Sequence, residues 1–182
     1  MADTDDRNAD LRALIRTIPD FPRPGIQFRD ITTLLLDPAG FAAAIERMAA
    51  ATQGPVDLVA GIEARGFIFA AALAAPLNAG VLLIRKDGKL PGATIAEDYA
   101  LEYGTDRIAM HEDALVPGQR VLLVDDLIAT GGTARAAVRL LRKAGAVVEQ
   151  VQFLVDLPEL GGAEALRADG LTVDSLLAFE GH

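Results

Sequence analysis

The chain of 182 residues contains no cysteine and no tryptophan, and it has only two histidines, His111 and His182, and one serine, Ser175. Without cysteine it cannot form a disulfide framework, a thiolate zinc site or a cysteine nucleophile. Two histidines are too few for a typical histidine metal cluster, and a single serine removes most serine-nucleophile schemes. We therefore expect any chemistry to depend on carboxylates, basic side chains and backbone groups.

Positive charge is also scarce, because 17 Lys+Arg stand against 26 Asp+Glu and give a net charge of -9. Such an acidic chain is a poor general binder of nucleic acid or anionic membrane, so we expect neither as a partner. The start, MADTDDRNAD, is acidic where an export signal needs a basic and then an apolar run. The longest apolar stretch, residues 67–84, is broken by Pro76, Asn78 and Gly80. The sequence thus predicts a cytoplasmic globular protein.

Short apolar runs that alternate with helical patterns predict an α/β fold, with a mostly parallel twisted sheet and helices on both faces. No repeat or linker is visible, so residues 1–182 are expected to form a single domain. The predicted strands are 56–62, 81–84, 121–124 and 147–155. The predicted helices are 9–18, 66–77, 133–144, and one that begins after an Asp37 N-cap and ends before Gly54.

Two segments do not fit this alternation. PDFPRPGIQFRD, with three prolines and a glycine, is expected to form a short irregular hood without regular secondary structure, and the hood as a whole is expected to span residues 19–36. Residues 85–103 carry DGKLPG and mixed charges, and are expected to form a long mobile loop that ends in strand-like turns. Both segments are candidates for covering a ligand.

The segment VLLVDDLIATGGT, Val121–Thr133, combines an apolar strand, two carboxylates and a glycine turn. Asp125 and Asp126 end the strand, where open α/β sheets bind ligands. Glycines before a helix let backbone N–H groups converge on a phosphate, and the helix start adds partial positive charge. A carboxylate instead accepts hydrogen bonds from neighbouring hydroxyls. The pattern predicts a 5-phosphoribosyl ligand, with its diol on the aspartates and its phosphate on Ala129, Thr130, Gly131, Gly132 and Thr133.

Other interpretations of this segment exist. An apolar strand that ends in two acids also resembles a Walker B element, but no upstream G-x-x-x-x-G-K-[S/T] is present. A dinucleotide-binding G-x-G-x-x-G is absent from the segment as well. A tight strand-to-helix turn with solvated aspartates remains the structural alternative.

The same segment resembles the phosphoribosyl pyrophosphate (PRPP) signature of the type I phosphoribosyltransferase family. Three more segments resemble the adenine-using branch of that family. These are FPRPGIQFRDI for its adenine-side hood, GIEARGF for its pyrophosphate loop, and RKDGKLPG with the later YALEYGTD for its flexible catalytic loop. The resemblance runs from about Ile18 to Leu157. It implies the reaction adenine + PRPP → AMP + pyrophosphate, a step of purine salvage.

The resemblance also implies which residues hold the pyrophosphate: Glu63, Ala64, Arg65, Lys86, Lys89 and Tyr103, with Arg85 assisting. From related loops we expect a cis peptide bond between Glu63 and Ala64. A positive side chain is unfavourable at a helix start, so Arg65 indicates a bound anion. The alternatives are a surface salt bridge for Arg65 and solvated loop charge for each lysine.

On the adenine side, the resemblance implies that Phe28 and Leu127 sandwich the purine ring. The backbone of Gln27 and Arg29 would read its amidine edge, and Glu102 would handle the proton at its imidazole ring. The alternatives are an ordinary core position for Phe28 and a solvated strand-edge position for Glu102. The implied catalytic residues are Glu102, Arg65, Asp125 and Asp126.

Two further expectations follow from the resemblance. Mg²⁺ would bind mainly through PRPP oxygens and water, without direct protein ligands. The chain would form a homodimer, and the helix predicted over 66–77, which is apolar all round, would lie in the core or at the interface. Two alternative functions remain: a PRPP-sensing regulator without catalysis, and an enzyme that uses xanthine or hypoxanthine.

Overall fold

The computed structural model describes residues 6–100 and 104–181. The strands within these residues are β1 Arg16–Pro19, β2 Gln27–Asp30, β3 Leu58–Ile62, β4 Gly80–Lys86, β5 Thr94–Ala100, β6 Thr105–His111, β7 Val121–Ile128, β8 Gln150–Asp156 and β9 Thr172–Ala178. The central sheet has the order β5-β6-β4-β3-β7-β8-β9. The five neighbouring strands β4, β3, β7, β8 and β9 pair in parallel. At the other edge, β6 pairs antiparallel with both β4 and β5. The strands β1 and β2 form a separate antiparallel ribbon.

Helices cover both faces of the sheet, as the sequence predicts. They are α1 Ala9–Ala13, α2 Thr32–Leu36, α3 Pro38–Ala51, α4 Gly66–Leu77, α5 Gly132–Lys143 and α6 Gly162–Ala168. Alternation along β7 builds both layers, because successive side chains of a strand point to opposite faces. Val121 and Leu123 belong to the core beneath α5, while Leu122 and Val124 belong to the core beneath α3 and α4. No helix of the described chain has the length and apolar composition needed to cross a membrane.

Local sequence signals account for the helix ends near the site. The Asp37 carboxylate accepts a hydrogen bond from Gly40 N at 2.7 Å, and Pro38 is the first helical residue, so the predicted cap of α3 is confirmed. The bounds of α4 match the predicted 66–77, and α5 begins and ends one residue before its predicted limits. The helix α4 begins directly after the predicted site residues Glu63, Ala64 and Arg65, and α5 begins within the predicted phosphate run 129–133.

The N-terminal predictions need two corrections. The helix predicted over 9–18 ends at Ala13, because residues 16–19 pair with β2 instead. Leu11 and Ile15 are nevertheless both buried, which explains why the apolar spacing resembled one longer helix. The stretch 19–30 was wrongly predicted to lack regular structure, since it contains β2, and the rest of the hood contains α2. Pro19 ends β1 and pairs with Gln27, whereas Pro22 and Pro24 lie in the turn between the two strands of the ribbon.

Several bounds in the second half also differ. The strand predicted over 121–124 continues to Ile128, and the one predicted over 147–155 begins at Gln150. Within residues 85–103, the end of β4 and the whole of β5 form a regular antiparallel edge with β6. Residues 101–103 lie outside the described part of the chain. Sequence reasoning missed α6 and β9, because β9 mixes Asp174 and Ser175 with apolar residues and does not show a continuous buried run.

Candidate active site

A cavity of about 420 Å³ opens at the carboxyl ends of β3 and β7. It brings together most of the predicted site residues: Glu63, Ala64, Arg65, Lys86, Asp125, Asp126, Leu127, Ala129, Thr130, Gly131, Gly132 and Thr133. Four predicted residues do not line it: Gln27, Phe28 and Arg29 on β2, and Lys89 after β4. Glu102 and Tyr103 fall outside the described residues.

The two aspartates differ in their surroundings although they are neighbours on β7. The Asp125 carboxylate accepts a hydrogen bond from Asp126 N at 2.8 Å. Burial, and then the nearby Asp126 charge, raise the pKa of Asp125 well above its usual range. Gly66 is needed beside it, because a Cβ there would lie 2.9 Å from Asp125 Oδ1. The start of α4 thus closely approaches a carboxylate that a hydroxyl donor would stabilise.

Arg65 forms an ion pair inside the cavity. Its Nε lies 2.9 Å from Oδ2 of Asp126, a residue that is only 5% exposed. The N–H is not aligned for hydrogen bonding, so this oxygen has no hydrogen-bond donor within the described part of the chain. The guanidinium carbon also lies 5.7 Å from the centroid of the Phe28 ring. Arg65 therefore links a carboxylate of the cavity to the hood.

The run ATGGT (residues 129–133) has the geometry of an anion cradle. Gly131 precedes α5 with φ +80°, and a Cβ there would meet the backbone of Gly162 at 3.0 Å. Gly162 N donates to Ala129 O at 3.0 Å, which fixes the run against the start of α6. The first turn of α5 has no acidic residue and its last turn contains Arg142 and Lys143, so the helix start remains favourable for an anion.

The turn after β3 has the expected cis peptide bond between Glu63 and Ala64. The Glu63 carboxylate accepts hydrogen bonds from Arg85 Nη2 at 3.0 Å and from Lys86 N at 3.0 Å. The Arg85 hydrogen bond lowers the pKa of Glu63. Arg85 Nη1 in turn donates to Lys89 O at 3.0 Å. Glu63 therefore anchors the end of β4. Its carboxylate has no hydrogen-bond donor to offer a pyrophosphate.

Sequence reasoning missed Tyr99 and Asp106, which also line the cavity. Lys86 Nζ and the Tyr99 hydroxyl each donate to Asp106 Oδ2, at 2.9 Å in both cases. The Lys86 hydrogen bond is the main cause that lowers the pKa of Asp106, whereas burial raises the pKa of Tyr99. Tyr99 and Asp106 are opposite each other in the β5–β6 pair. The cluster of Lys86, Tyr99 and Asp106 forms only when β5 pairs with β6, and the sequence pattern does not specify that pairing.

The predicted adenine residues occupy the ribbon and the end of β7. The Phe28 ring meets the Phe21 ring edge-on, with centroids 5.1 Å apart. Leu127 lines the cavity and Phe28 does not, so the contact with Arg65 is what connects Phe28 to the cavity. The Arg29 side chain donates to Thr17 Oγ1 at 2.6 Å, across the ribbon.

Comparisons with known proteins agree with this arrangement. A family model described as phosphoribosyl transferase domain matches residues 32–169. The adenine phosphoribosyltransferase of Erythrobacter litoralis (strain HTCC2594) is 60% identical over 174 residues, which cover 95% of this chain and 98% of that protein.

Solved structures give the same result. The adenine phosphoribosyltransferase from Rhodothermus marinus DSM 4252 is 49% identical with a TM-score of 0.87, over 94% of this chain and 97% of that one. The adenine phosphoribosyltransferase from Saccharomyces cerevisiae was solved in complex with D-2,5-dideoxy-2,5-imino-altritol 1,6-bisphosphate and adenine. It is 34% identical with a TM-score of 0.84, over 93% of this chain and 97% of that one. The chain therefore belongs to the phosphoribosyltransferase family, among the adenine phosphoribosyltransferases.

Proposed function

We propose that the chain transfers the 5-phosphoribosyl group of PRPP to adenine, giving AMP and pyrophosphate in purine salvage. The observation that carries this proposal is the single cavity that joins Asp125 and Asp126 to the ATGGT run before α5. The helix start favours a phosphate monoester, and the carboxylates favour a diol. A sugar phosphate provides a phosphate for the helix start and a diol for the carboxylates in one molecule. The bisphosphate and adenine bound by the S. cerevisiae relative support the same ligand classes.

The residues around the cavity suit a dissociative transfer. The bond between C1′ and the pyrophosphate breaks, and the ribose develops oxocarbenium character while adenine N9 attacks from the opposite face. Arg65 and Lys86 stabilise the leaving pyrophosphate through their charge. Asp125 and Asp126 hold the diol and offset the positive charge on the ribose. Glu102 takes the N9 proton as the purine bonds to the sugar, and no covalent enzyme intermediate is needed.

The donor set fits a magnesium ion held mainly by PRPP. Asp126 Oδ2 has no hydrogen-bond donor in the described part of the chain, so it can accept from an ion's water ligand. Mg²⁺ keeps several waters and prefers carboxylate and phosphate oxygens, so Asp125 and Asp126 would hold it through water. When bound, the ion would neutralise charge on the pyrophosphate oxygens.

Adenine selectivity is proposed to come from the backbone of β2. Adenine presents an N6 donor beside an N1 acceptor, which a backbone C=O and N–H of Gln27 and Arg29 can match. A 6-oxopurine reverses this pattern and would leave buried groups unpaired, the costly outcome. Phe28 and Leu127 would enclose the ring once Arg65 turns to the pyrophosphate. This movement would open the space between the hood and the cavity.

The segment 85–103 is proposed to close over the reactants, within one phosphoribosyltransferase domain that spans residues 1–182. Lys86 already lines the cavity, and Lys89 and Tyr103 would join it on closure. Closure would exclude water from the reacting groups. A cytoplasmic location fits this function, because PRPP carries several negative charges and does not cross a lipid bilayer unaided.

A homodimer is proposed from an uncovered apolar face. Ile68 on α4 is 39% exposed, and Val81 and Leu83 on β4 are 43% and 41% exposed. The helix and the strand contact each other, so these side chains lie close on one face of the sheet. Sedimentation analysis should give twice the chain mass, and Leu83→Asp should give the single-chain mass. A single-chain mass for the unaltered protein would reject the dimer.

The test of the proposed function is AMP formation from adenine and PRPP with Mg²⁺, with hypoxanthine, guanine and xanthine in parallel. Turnover with adenine alone is expected. Turnover with only a 6-oxopurine would keep the phosphate site but reject the role assigned to the hood. PRPP binding without turnover on any base would indicate a PRPP sensor instead of an enzyme.

A further inference from the structure

The segment Phe179–Gly181 connects the end of β9 to the hood. Its first residue is fixed to the sheet, since Phe179 N donates to Asp156 O at 3.0 Å. The Arg29 Nη2 group then donates to Glu180 O at 2.7 Å and to Gly181 O at 3.2 Å. These bonds join residues about 150 positions apart in the chain. The segment is thus attached at one end to β8 and at the other to β2.

The Phe179 ring strengthens this attachment. The guanidinium carbons of Arg12 and Arg29 each lie 4.8 Å from its centroid, which is cation–π distance for both. Arg12 Nη1 also donates to Ala178 O at 2.8 Å. One aromatic side chain therefore holds two arginines, one from α1 and one from the β1–β2 ribbon.

Arg29 connects the segment to β2, the strand that carries the residues predicted to bind adenine. Its Nη1 donates to Thr17 Oγ1 across the ribbon, and its Nη2 reaches the two carbonyls of the segment. Because side chains alternate along a strand, Arg29 and Phe28 project from opposite faces of β2. Fixing the Arg29 guanidinium from outside therefore fixes the direction in which β2 presents the Phe28 ring.

The ribbon needs such support. The strands β1 and β2 pair only with each other and not with the central sheet, as far as the described residues show. A two-stranded ribbon is marginally stable on its own. Arg16 and Asp30 add an ion pair at one end, but that pair lies within the ribbon and does not attach it to the rest of the chain.

We propose that Phe179–Gly181 is a positioning segment for adenine binding. It holds Arg29, so that β2 keeps Phe28 and the backbone of Gln27 and Arg29 in place for the purine. This inference rests on the proposed function. Within the described residues, the hydrogen-bond and cation–π partners of the segment are Arg12, Arg29 and Asp156, none of which is proposed to hold phosphate or pyrophosphate. Its loss should therefore weaken adenine binding and spare PRPP binding.

The first test compares AMP formation by the unaltered chain, by Phe179→Ala and by a chain that ends at Ala178. We expect the KM for adenine to rise about tenfold in both variants, equivalent to about 1.4 kcal/mol, with the KM for PRPP and kcat at saturation nearly unchanged. The matched control is Glu180→Ala, which retains the backbone carbonyl that accepts from Arg29. An unchanged KM for adenine, or an equal rise for both substrates, would overturn the proposal.

A second measurement does not depend on activity. Amide hydrogen exchange should become faster in residues 16–19 and 27–30 of the shortened chain, while β3 and β7 keep their protection. Unchanged protection of the ribbon would reject the positioning role even if catalysis were affected. If the unaltered chain formed no AMP from any base, the proposed function would fail, and exchange alone would still decide whether the segment holds the ribbon.

Discussion

The Nε atom of Arg65 lies 2.9 Å from Oδ2 of Asp126, so a cation proposed to bind pyrophosphate is paired with a carboxylate proposed to bind ribose. Each group lowers the cost of keeping the other in a cavity without ligand. PRPP supplies replacements for both, because its pyrophosphate can take the arginine and its diol can take the carboxylate. Ligand binding can therefore separate the pair, because Arg65 gains an anionic partner and the Asp126 carboxylate gains hydrogen-bond donors.

Arg65→Gln should damage catalysis much more than folding. Loss of a charged donor to the leaving group should reduce kcat/KM for PRPP ~100-fold or more. The unfolding free energy should fall by about 1 to 2 kcal/mol, because solvent screens the Arg65 side chain, which is 43% exposed, but the Asp126 side chain, which is 7% exposed, loses its ion-pair partner. Steady-state kinetics and urea unfolding measure the two effects. Unchanged kcat/KM would remove Arg65 from the pyrophosphate site.

Asp125→Asn should stabilise the empty protein at neutral pH while reducing AMP formation. Because the pKa of Asp125 is raised in the folded chain, the folded state binds more protons than the unfolded state between its usual and raised pKa. Stability contributed by the protonated group is therefore lost as pH rises through that window. The asparagine cannot ionise and avoids this loss.

The thermal midpoints of the two proteins should accordingly converge near pH 4 and separate as the pH rises, with the variant higher. Melting curves across this range, with both proteins free of ligand, provide the measurement. A variant that melts lower than the unaltered chain at neutral pH would show that the Asp125 carboxylate supports the fold. The double variant with Asp126→Asn should likewise lose turnover more than stability.

The sequence specified those parts of the site that depend on local chain geometry. The ATGGT run and the turn at Arg65 each lie directly after a strand, and the Asp125–Asp126 pair lies near the carboxyl end of β7, so periodicity and glycine spacing place them in one cavity. Tyr99 and Asp106 require the antiparallel pairing of β5 with β6, which no local pattern indicates. The first helix was predicted too long for a related reason, because the pairing of Arg16 with Asp30 overrides its helical spacing.

Glu102→Gln should reduce kcat while PRPP binding stays near normal. The side chain is proposed to take the N9 proton, and the amide keeps its shape without accepting a proton. Residue 102 lies outside the described chain, so its role stays a prediction. Calorimetric titration with PRPP and Mg²⁺ separates binding from turnover. An unchanged kcat would show that another group, or water, takes the proton.

Gly131→Ala should weaken PRPP binding, and Gly161→Ala provides its matched control. Both glycines precede a helix in left-handed conformation, with φ +80° and +73°. Either alanine should cost about 1 to 2 kcal/mol of backbone strain. Only at residue 131 would the new Cβ meet backbone, the Cα and O of Gly162 at 3.0 Å, whereas nothing lies within 4 Å at residue 161.

The two variants should therefore lose similar backbone stability but differ in ligand binding. The clash at residue 131 cannot be relieved by a side-chain rotation, since Gly162 is tied to Ala129 O through its own N–H. The ATGGT run must move, which should raise the KM for PRPP about tenfold or more. The KM for PRPP of Gly161→Ala should stay near that of the unaltered chain. Equal effects of both substitutions would mean that strain before the helices, and not the position of the phosphate run against α6, controls PRPP affinity.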